Sequence, residues 1–363
     1  MKGKPKISLF TVLLFLGLFS FGQSKEIDIN TFLNDLKAED FSGTILVAHN
    51  DKIIEKRAFG LSSIEYGIKN TVDTKFNLAS ITKMITAVAA LQLYDRGKVE
   101  LKLPIGEYLP DYPNKLVRDS VTIHQLLTHT SGNNNFYVGE FLQSDKLKYR
   151  NISDFTPLFA NDTLLSRPGT KYDYSASGFV ILGLIIEKMS RQNYYDYVRN
   201  NIFIPSGMIN TTELEIDSVV QNRASGYTTF FGKSKILKKN DYYLSKASPA
   251  GFHYSTVEDL FKFSKALRNG KLLKKETTKL MFEPKVKGYN TSIGYGIDID
   301  LRYTQTIQGH SGGWYGIHNE LMYFMRDKYT VIIVSNIDDG GKTGTSMVAD
   351  FFKVLIAGKQ IEE

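Results

Sequence analysis

"FNLASITKMITAVAALQLY", residues 76 to 94, decides how the rest of the chain is read. Apolar side chains surround the whole helical projection, so the segment has no polar face and predicts a helix buried inside a globule. Lys83 is its sole charged residue, and Ser80 stands three residues earlier, one turn away on the same face. An ammonium there is costly. Desolvation pushes its pKa down, and a neutral amine beside a hydroxyl is a competent general base. Taken alone, the pair also reads as a helix-capping serine and a lysine that reaches out to water. Yet of all the serines in the chain, only Ser80 is followed by lysine at this spacing.

Working outward, "GFVILGLIIEKM" (residues 178–189) predicts a second buried helix, and the pattern from 76 to about 201 is helical throughout. Toward the N-terminus, Ile29, Phe32, Leu33 and Leu36 have helical spacing. "GTILVAHNDKIIEKRAFG" then gives two β-rich runs around an Asn50-Asp51 turn. Toward the C-terminus, "YSTVEDLFKFSKALRNG" reads as a helix opened by a capping box from Ser255 to Glu258 and stopped at Gly270. Four runs follow that read as strands: "IGYGIDIDL", "YTQTIQG", "GIHNELMYFM" and "YTVIIVSN". An amphipathic helix over about 345–357 closes the chain. Strands at both ends with helices between them predict an α/β (α+β) fold of two regions. A mainly antiparallel sheet comes from residues 23–75 and 249–363, a helical region of 76–248 is inserted, and a cleft lies at the seam.

The chain has 363 residues, 42% hydrophobic and 12% aromatic, ample for a substantial core. Lys2, Lys4 and Lys6 precede the apolar run "ISLFTVLLFLGLFSF", with Ser20 and Gly22 as small residues before Gln23. Residues 1–22 therefore read as a signal peptide cleaved after Gly22, implying a periplasmic or secreted protein with no stable membrane span. Export leads to an oxidising compartment, but the chain has no cysteine, so disulfides and thiol nucleophiles are excluded. Without the three leader lysines the formal balance is 42 basic to 38 acidic side chains, too even to argue for nucleic acid. The basic stretch "KSKILKKNDYYLSK" reads as a solvated loop. Six histidines, His124 and His129 among them, show no metal-binding cluster, and no cofactor is implied. His124 and His129 read as hydrogen-bonded structural residues.

"GHSGG" (residues 309–313) offers a rival nucleophile, because G-x-S-x-G marks the elbow serine of α/β-hydrolases. An elbow needs a helix after it, whereas "WYGIHNELMYFM" reads as a strand, and the order of acid and histidine after Ser311 is wrong. A literal K-T-G at Lys342-Thr343-Gly344 follows the last strand and reads as a loop and helix cap.

Taken together, "FSGTILVAHNDKII", "FNLASITKMITA", "TIHQLLTHTSG", "PGTKYDYSASGFVILGLIIE", "IPSGMINT", "PAGFHYSTVEDLFKF" and "GHSGG" resemble the serine β-lactamase and penicillin-binding-protein superfamily. The branch is that of class C β-lactamase-like hydrolases, esterases and D-amino-acid peptidases. Order and separation agree as well, with 94 residues from Ser80 to Tyr174 and 136 more to His310. The resemblance implies a β-lactamase-like fold with a five-stranded sheet flanked by terminal helices. It implies Ser80 as nucleophile, Lys83 as base, and Tyr174 as the phenol that relays the proton to the leaving group. It also implies His310, Ser311 and Gly312 as the third motif, with the Gly313 and Ser80 N–H groups as the oxyanion hole.

One departure stands out. The pattern Y-x-N ends in Ala176, whose methyl group can neither bind a substrate carbonyl nor orient the lysine. With His310, largely uncharged at neutral pH, in place of a lysine, the balance moves from β-lactam hydrolysis toward ester or peptide hydrolysis. The expected substrate is a small molecule or peptide, peptidoglycan-derived fragments among the candidates. A non-catalytic module that binds cell-wall peptides or β-lactams stays open as the alternative, although retention of Ser80, Lys83 and Tyr174 together favours a metal-free serine hydrolase.

Overall fold

A computed structural model describes residues 24–38, 41–213, 215–230, 237–240, 242–338 and 344–361. The leader at 1–22 lies outside these residues, as do Lys342 and Thr343 of the K-T-G triplet and part of the basic stretch. The described residues fall into two compact units, divided between Leu36 and Lys37. In the first, helix α1 (Ser24–Asp35) occupies the segment where apolar residues recur at helical spacing.

The second unit starts with a hairpin, β1 (Gly43–His49) and β2 (Lys52–Phe59). Asn50 and Asp51 turn it with φ of 49° and 59°, the left-handed pair that a tight two-residue hairpin requires. A 3-10 turn at Ala79–Ile81 leads into α2 (Thr82–Asp95), and α3 (Ala176–Ser190) packs against it. Every residue of α2 from Thr82 to Leu93 is buried, as its lack of a polar face demands. Then follow α4 (Val257–Arg268), three short strands β3 (Val286–Lys287), β4 (Ser292–Ile293) and β5 (Asp298–Asp300), and three long ones, β6 (Ile307–Trp314), β7 (Ile317–Phe324) and β8 (Tyr329–Ser335). Helix α5 (Gly344–Ala357) ends the described fold.

All strand pairs of the main sheet are antiparallel, in the order β2-β1-β8-β7-β6-β5-β4-β3. The two ends of the chain meet where β1 pairs with β8, Gly43 opposite Ser335 and His49 opposite Tyr329. Five strands are long, and three short ones beyond β6 extend the expected five to eight. "IGYGIDIDL" is two of these short strands rather than one long strand. It breaks at Gly296, whose φ of 65° and close approach to α2 (an added Cβ would lie 2.7 Å from the Ala87 Cβ) need glycine. "YTQTIQG" becomes a strand only at Ile307, because Thr304 and Gln305 turn aside to donate hydrogen bonds to the last carbonyls of α5, Ala357 and Ile356.

Helix α4 packs on β1 and β8, and α5 on β7 and β8. The cap of α4 is Thr256, not Ser255: the Thr256 hydroxyl accepts from the Asp259 N–H, while Ser255 pairs with Phe76 in a short two-stranded ladder. That ladder, Phe76–Asn77 against Tyr254–Ser255, fixes the chain entering α2. Asn319 of β7 secures it from the sheet side. Fully buried, its Nδ2 donates to the Asn77 carbonyl at 2.9 Å and its Oδ1 accepts from the Ser335 N–H at 3.2 Å.

Candidate active site

Ser80 stands in the 3-10 turn ahead of α2, half-buried. The residue before it, Ala79, has φ of 43°, a left-handed conformation uncommon for a residue with a Cβ. It is held there by the Asn77 Oδ1, which accepts the Ala79 N–H at 2.9 Å. No capping bond from a side chain forms at this turn. The Ser80 Oγ instead accepts from the Lys83 Nζ at 3.1 Å.

Lys83 is fully buried. It does not reach water, and its one further hydrogen bond goes to the Ala250 carbonyl at 2.5 Å. The Tyr174 ring centroid lies 4.9 Å from its Nζ. With no carboxylate beside it, burial alone lowers its pKa to about 7, so a large fraction of the amine is neutral at neutral pH. The Tyr174 phenol stands near the Ser80 side chain in the same cavity, and burial pushes its pKa up, so the phenol keeps its proton. His129 stacks on Tyr174 with ring centroids 4.4 Å apart, and its Nδ1 accepts the Ser175 N–H at 3.1 Å. That bond places the imidazole proton on Nε2 and fixes the ring, and burial drives the His129 pKa well below normal. His124 bonds the Tyr295 hydroxyl at 2.9 Å through its Nδ1, away from these groups.

Ala176 is buried as the first residue of α3, behind its N-cap Ser175. The hydrogen-bond partner that orients Lys83 beside Ser80 is the main-chain carbonyl of Ala250. No side-chain pattern could have announced that partner.

The strand β6 carries His310, Ser311, Gly312 and Gly313 past the nucleophile. Gly312 abuts the Ser80 turn so closely that a Cβ there would sit 2.3 Å from the Leu78 carbonyl oxygen. Gly313 has open space around it, and Ser311 is exposed. His310 is buried, its Nδ1 2.5 Å from the Ser311 carbonyl and its ring 6.5 Å from that of Tyr174. Strand β7 follows at once, so no helix starts at Ser311. A cavity of about 500 Å³ is lined by Ser80, Tyr174, His310, Ser311 and Gly313 together, with Lys83 buried behind Ser80. Among the described residues, no group of three or more His, Asp or Glu side chains is arranged to hold a metal ion. Two carboxylates outside the expected site, Asp298 and Glu320, line the same cavity. Their registers opposite Gly309 and Ser311 arise only from strand pairing.

Such an arrangement gathers a hydroxyl, an amine that is partly neutral at neutral pH and a protonated phenol at the edge of a cavity. Those are the groups that nucleophilic acyl transfer needs. Comparison with known proteins bears on the family and the fold. The chain is 30% identical over 332 residues to PbpX of Bacillus subtilis (strain 168), whose name places it provisionally among penicillin-binding proteins; the match covers 89% of this chain and 78% of that protein. The crystal structure of a penicillin-binding protein from Bacillus halodurans superposes with a TM-score of 0.79 at 27% identity, covering 90% of this chain and 98% of that one. The fold is also that of D-amino acid amidase from Ochrobactrum anthropi SV3, solved with D-phenylalanine: the TM-score is 0.77 at 22% identity, over 92% and 98% of the two chains. The sequence model of the Beta-lactamase family matches residues 34–349, and the chain belongs to that family, with its serine-hydrolase fold.

Proposed function

We propose that the protein is an exported serine hydrolase that acts through a Ser80 acyl-enzyme on a carboxylic ester or amide, D-amino-acid peptides included, without a metal ion. The observation that carries this reading is the contact of the Lys83 Nζ with the Ser80 Oγ in a site where burial leaves a large fraction of the amine neutral. The lysine-flanked apolar leader supports export.

In the reaction, the Ser80 Oγ adds to the substrate carbonyl carbon while its proton passes to the Lys83 Nζ. The oxygen that becomes anionic takes hydrogen bonds from the Ser80 and Gly313 N–H groups. Collapse breaks the bond to the leaving amine or alcohol, which receives its proton through Tyr174. Water then attacks the Ser80 ester, releasing the acid and restoring the hydroxyl. His310 and Ser311 line the substrate and supply no nucleophile.

The test is labelling of the purified protein with a fluorophosphonate and a penicillin probe, beside a panel of p-nitrophenyl esters. Adduct and turnover are expected in the parent and in Ser311→Ala, and lost in Ser80→Ala; loss in Ser311→Ala alone would sink the assignment. Penicillin labelling without release favours a penicillin-binding protein, and ester turnover without it an esterase. Ala176 favours a second reading, a non-catalytic module that binds cell-wall peptides. That reading predicts peptide binding with neither adduct nor turnover.

A further inference from the structure

Successive cross-strand rows of the sheet divide between two cavities. Asp298, Gly309 and Met322 lie side by side across β5, β6 and β7, and all three line the cavity that holds Ser80. The next row, Ile299, Gln308 and Tyr323, points to the other face, because side chains alternate along a strand. It lines a second cavity of about 540 Å³, enclosed by the sheet, the end of α4 and the helix Lys275–Phe282. Phe282, Pro284, Leu301 and Met325 add apolar wall, and the size is that of a small-molecule site. Along β6 the face that carries Gln308 continues to His310 and Gly312, and Gly312 abuts the Ser80 turn.

Two polar groups of this apolar cavity call for a ligand. Gln308 is only 6% exposed, yet no described residue hydrogen-bonds its carboxamide. A buried amide is costly to leave unsatisfied, so its partner belongs in the cavity. Lys279, exposed at the rim, makes no ion pair among the described residues. Glu283, one turn on, attracts it from a distance, but the Glu283 carboxylate is bonded by Lys285 at 2.7 Å. Arg268, the other cation of the lining, pairs with Asp51 at 3.2 Å and lies 3.8 Å from the centre of the Tyr323 ring. Arg268 and Lys279 against Glu283 leave the lining one positive charge in excess.

We propose that this second cavity binds a free, single-chain apolar carboxylate, its chain against Ile299, Leu301 and Phe282 and its carboxylate between the Gln308 amide and the Lys279 ammonium. A carboxylate accepts hydrogen bonds from both groups and matches the excess charge. An alcohol forgoes the charge, and an ammonium is repelled by Lys279. Occupancy acts on the Ser80 site through the strands that the two cavities share, since a ligand bonded to Gln308 bears on the strand that also carries His310 and Gly312. The effect on turnover rests on the hydrolase reading of Ser80, whereas the binding does not.

Calorimetric titration of the purified protein with octanoate, octanol and octylammonium tests the site without chemistry. Octanoate should bind tightest, by about 5-fold or more over the alcohol, and should bind Ser80→Ala as it binds the parent. Lys279→Gln, a change at an exposed side chain, should abolish that lead, and Gln308→Leu should weaken octanoate by about 3-fold or more. Octanol or octylammonium binding as tightly as octanoate, or octanoate affinity unmoved in Lys279→Gln, overturns the proposal. The coupling is read from turnover of p-nitrophenyl acetate: saturating octanoate should change kcat/KM by about 2-fold or more in the parent, and the same concentration should leave Lys279→Gln unaffected. Competitive inhibition that persists in Lys279→Gln puts octanoate in the catalytic cavity and overturns the site. Binding that needs Lys279 but leaves kcat/KM unchanged overturns the coupling alone. Binding that needs Lys279 in a protein that hydrolyses nothing overturns the hydrolase reading and leaves the carboxylate site standing.

Discussion

The Lys83 Nζ lies 3.1 Å from the Ser80 Oγ and 2.5 Å from the Ala250 carbonyl oxygen, with no carboxylate at hand to hold it protonated. A carbonyl accepts an N–H from an amine as well as from an ammonium, the charged donor bonding more strongly. The contact with Ala250 therefore orients the lysine in either state, and burial is what lowers its pKa.

Activity should accordingly depend on a neutral lysine. Because the pKa of Lys83 is depressed to about 7, the active form is lost as pH falls through that value. The kcat/KM of the parent for a neutral ester should decline below about pH 7 with a single inflection. Lys83→Arg keeps the charge but never loses its proton, and Lys83→Ala removes the base; both should lower kcat by about 10²- to 10⁴-fold. An unchanged pH profile in Lys83→Ala would assign the inflection to another group.

Tyr174→Phe keeps the ring that stacks on His129 and removes only the hydroxyl near Ser80. The variant should fold as the parent does and lose roughly 10²-fold or more in kcat, with KM changed far less. Amides should suffer more than p-nitrophenyl esters, since an amine must be protonated to leave and nitrophenolate need not be. Equal losses on both substrates would remove Tyr174 from the leaving-group step.

At Gly312 the prediction is steric. A Cβ would lie 2.3 Å from the Leu78 carbonyl oxygen and 3.4 Å from the Ile81 nitrogen, so Gly312→Ala must push β6 away from the nucleophile turn. Overpacking of this kind costs about 1–3 kcal/mol, and thermal unfolding should show the loss. Fluorophosphonate labelling of Ser80 should slow as well, whereas Gly313→Ala, with open space around it, should leave thermal stability near that of the parent.

Acid should destabilise the protein through a buried histidine whose main chain bonds Leu78 and Thr82 on either side of the nucleophile turn. His253 is fully buried with neither ring nitrogen hydrogen-bonded, and burial lowers its pKa from 6.5 to about 3. Its unfolded form takes up a proton below pH 6.5 while the folded form does not, so stability falls as pH drops from 6.5 toward 3. His253→Phe removes this proton uptake, and the slope of unfolding free energy against pH in that window should become shallower by up to about 1.4 kcal/mol per pH unit. An unaltered slope in urea titrations would assign the acid sensitivity to other groups, of which buried His129 is one.

Much of this protein could be read from its sequence, because the chemistry there is local. A helix without a polar face must be buried, so "SITKMITAVAALQLY" announced both its own interior position and the unusual state of Lys83. The Asn50-Asp51 turn, the alternation of the late strands and the pairing of chain ends into one sheet likewise follow from residue types and their period. Elsewhere the local signal misled: the cap of α4 moved by one residue to Thr256, because Ser255 was already taken by the ladder with Phe76. Gly296 split a run that reads as one strand. Ala250, Asn319, Asp298 and Glu320 leave no mark in the sequence near Ser80, since a main-chain carbonyl has no residue code and strand register is set by partners far along the chain. The sequence determined which groups are available and which segments must be buried; tertiary structure alone decided what stands within hydrogen-bond distance of Ser80, because strand register and main-chain contacts come from partners distant in the chain.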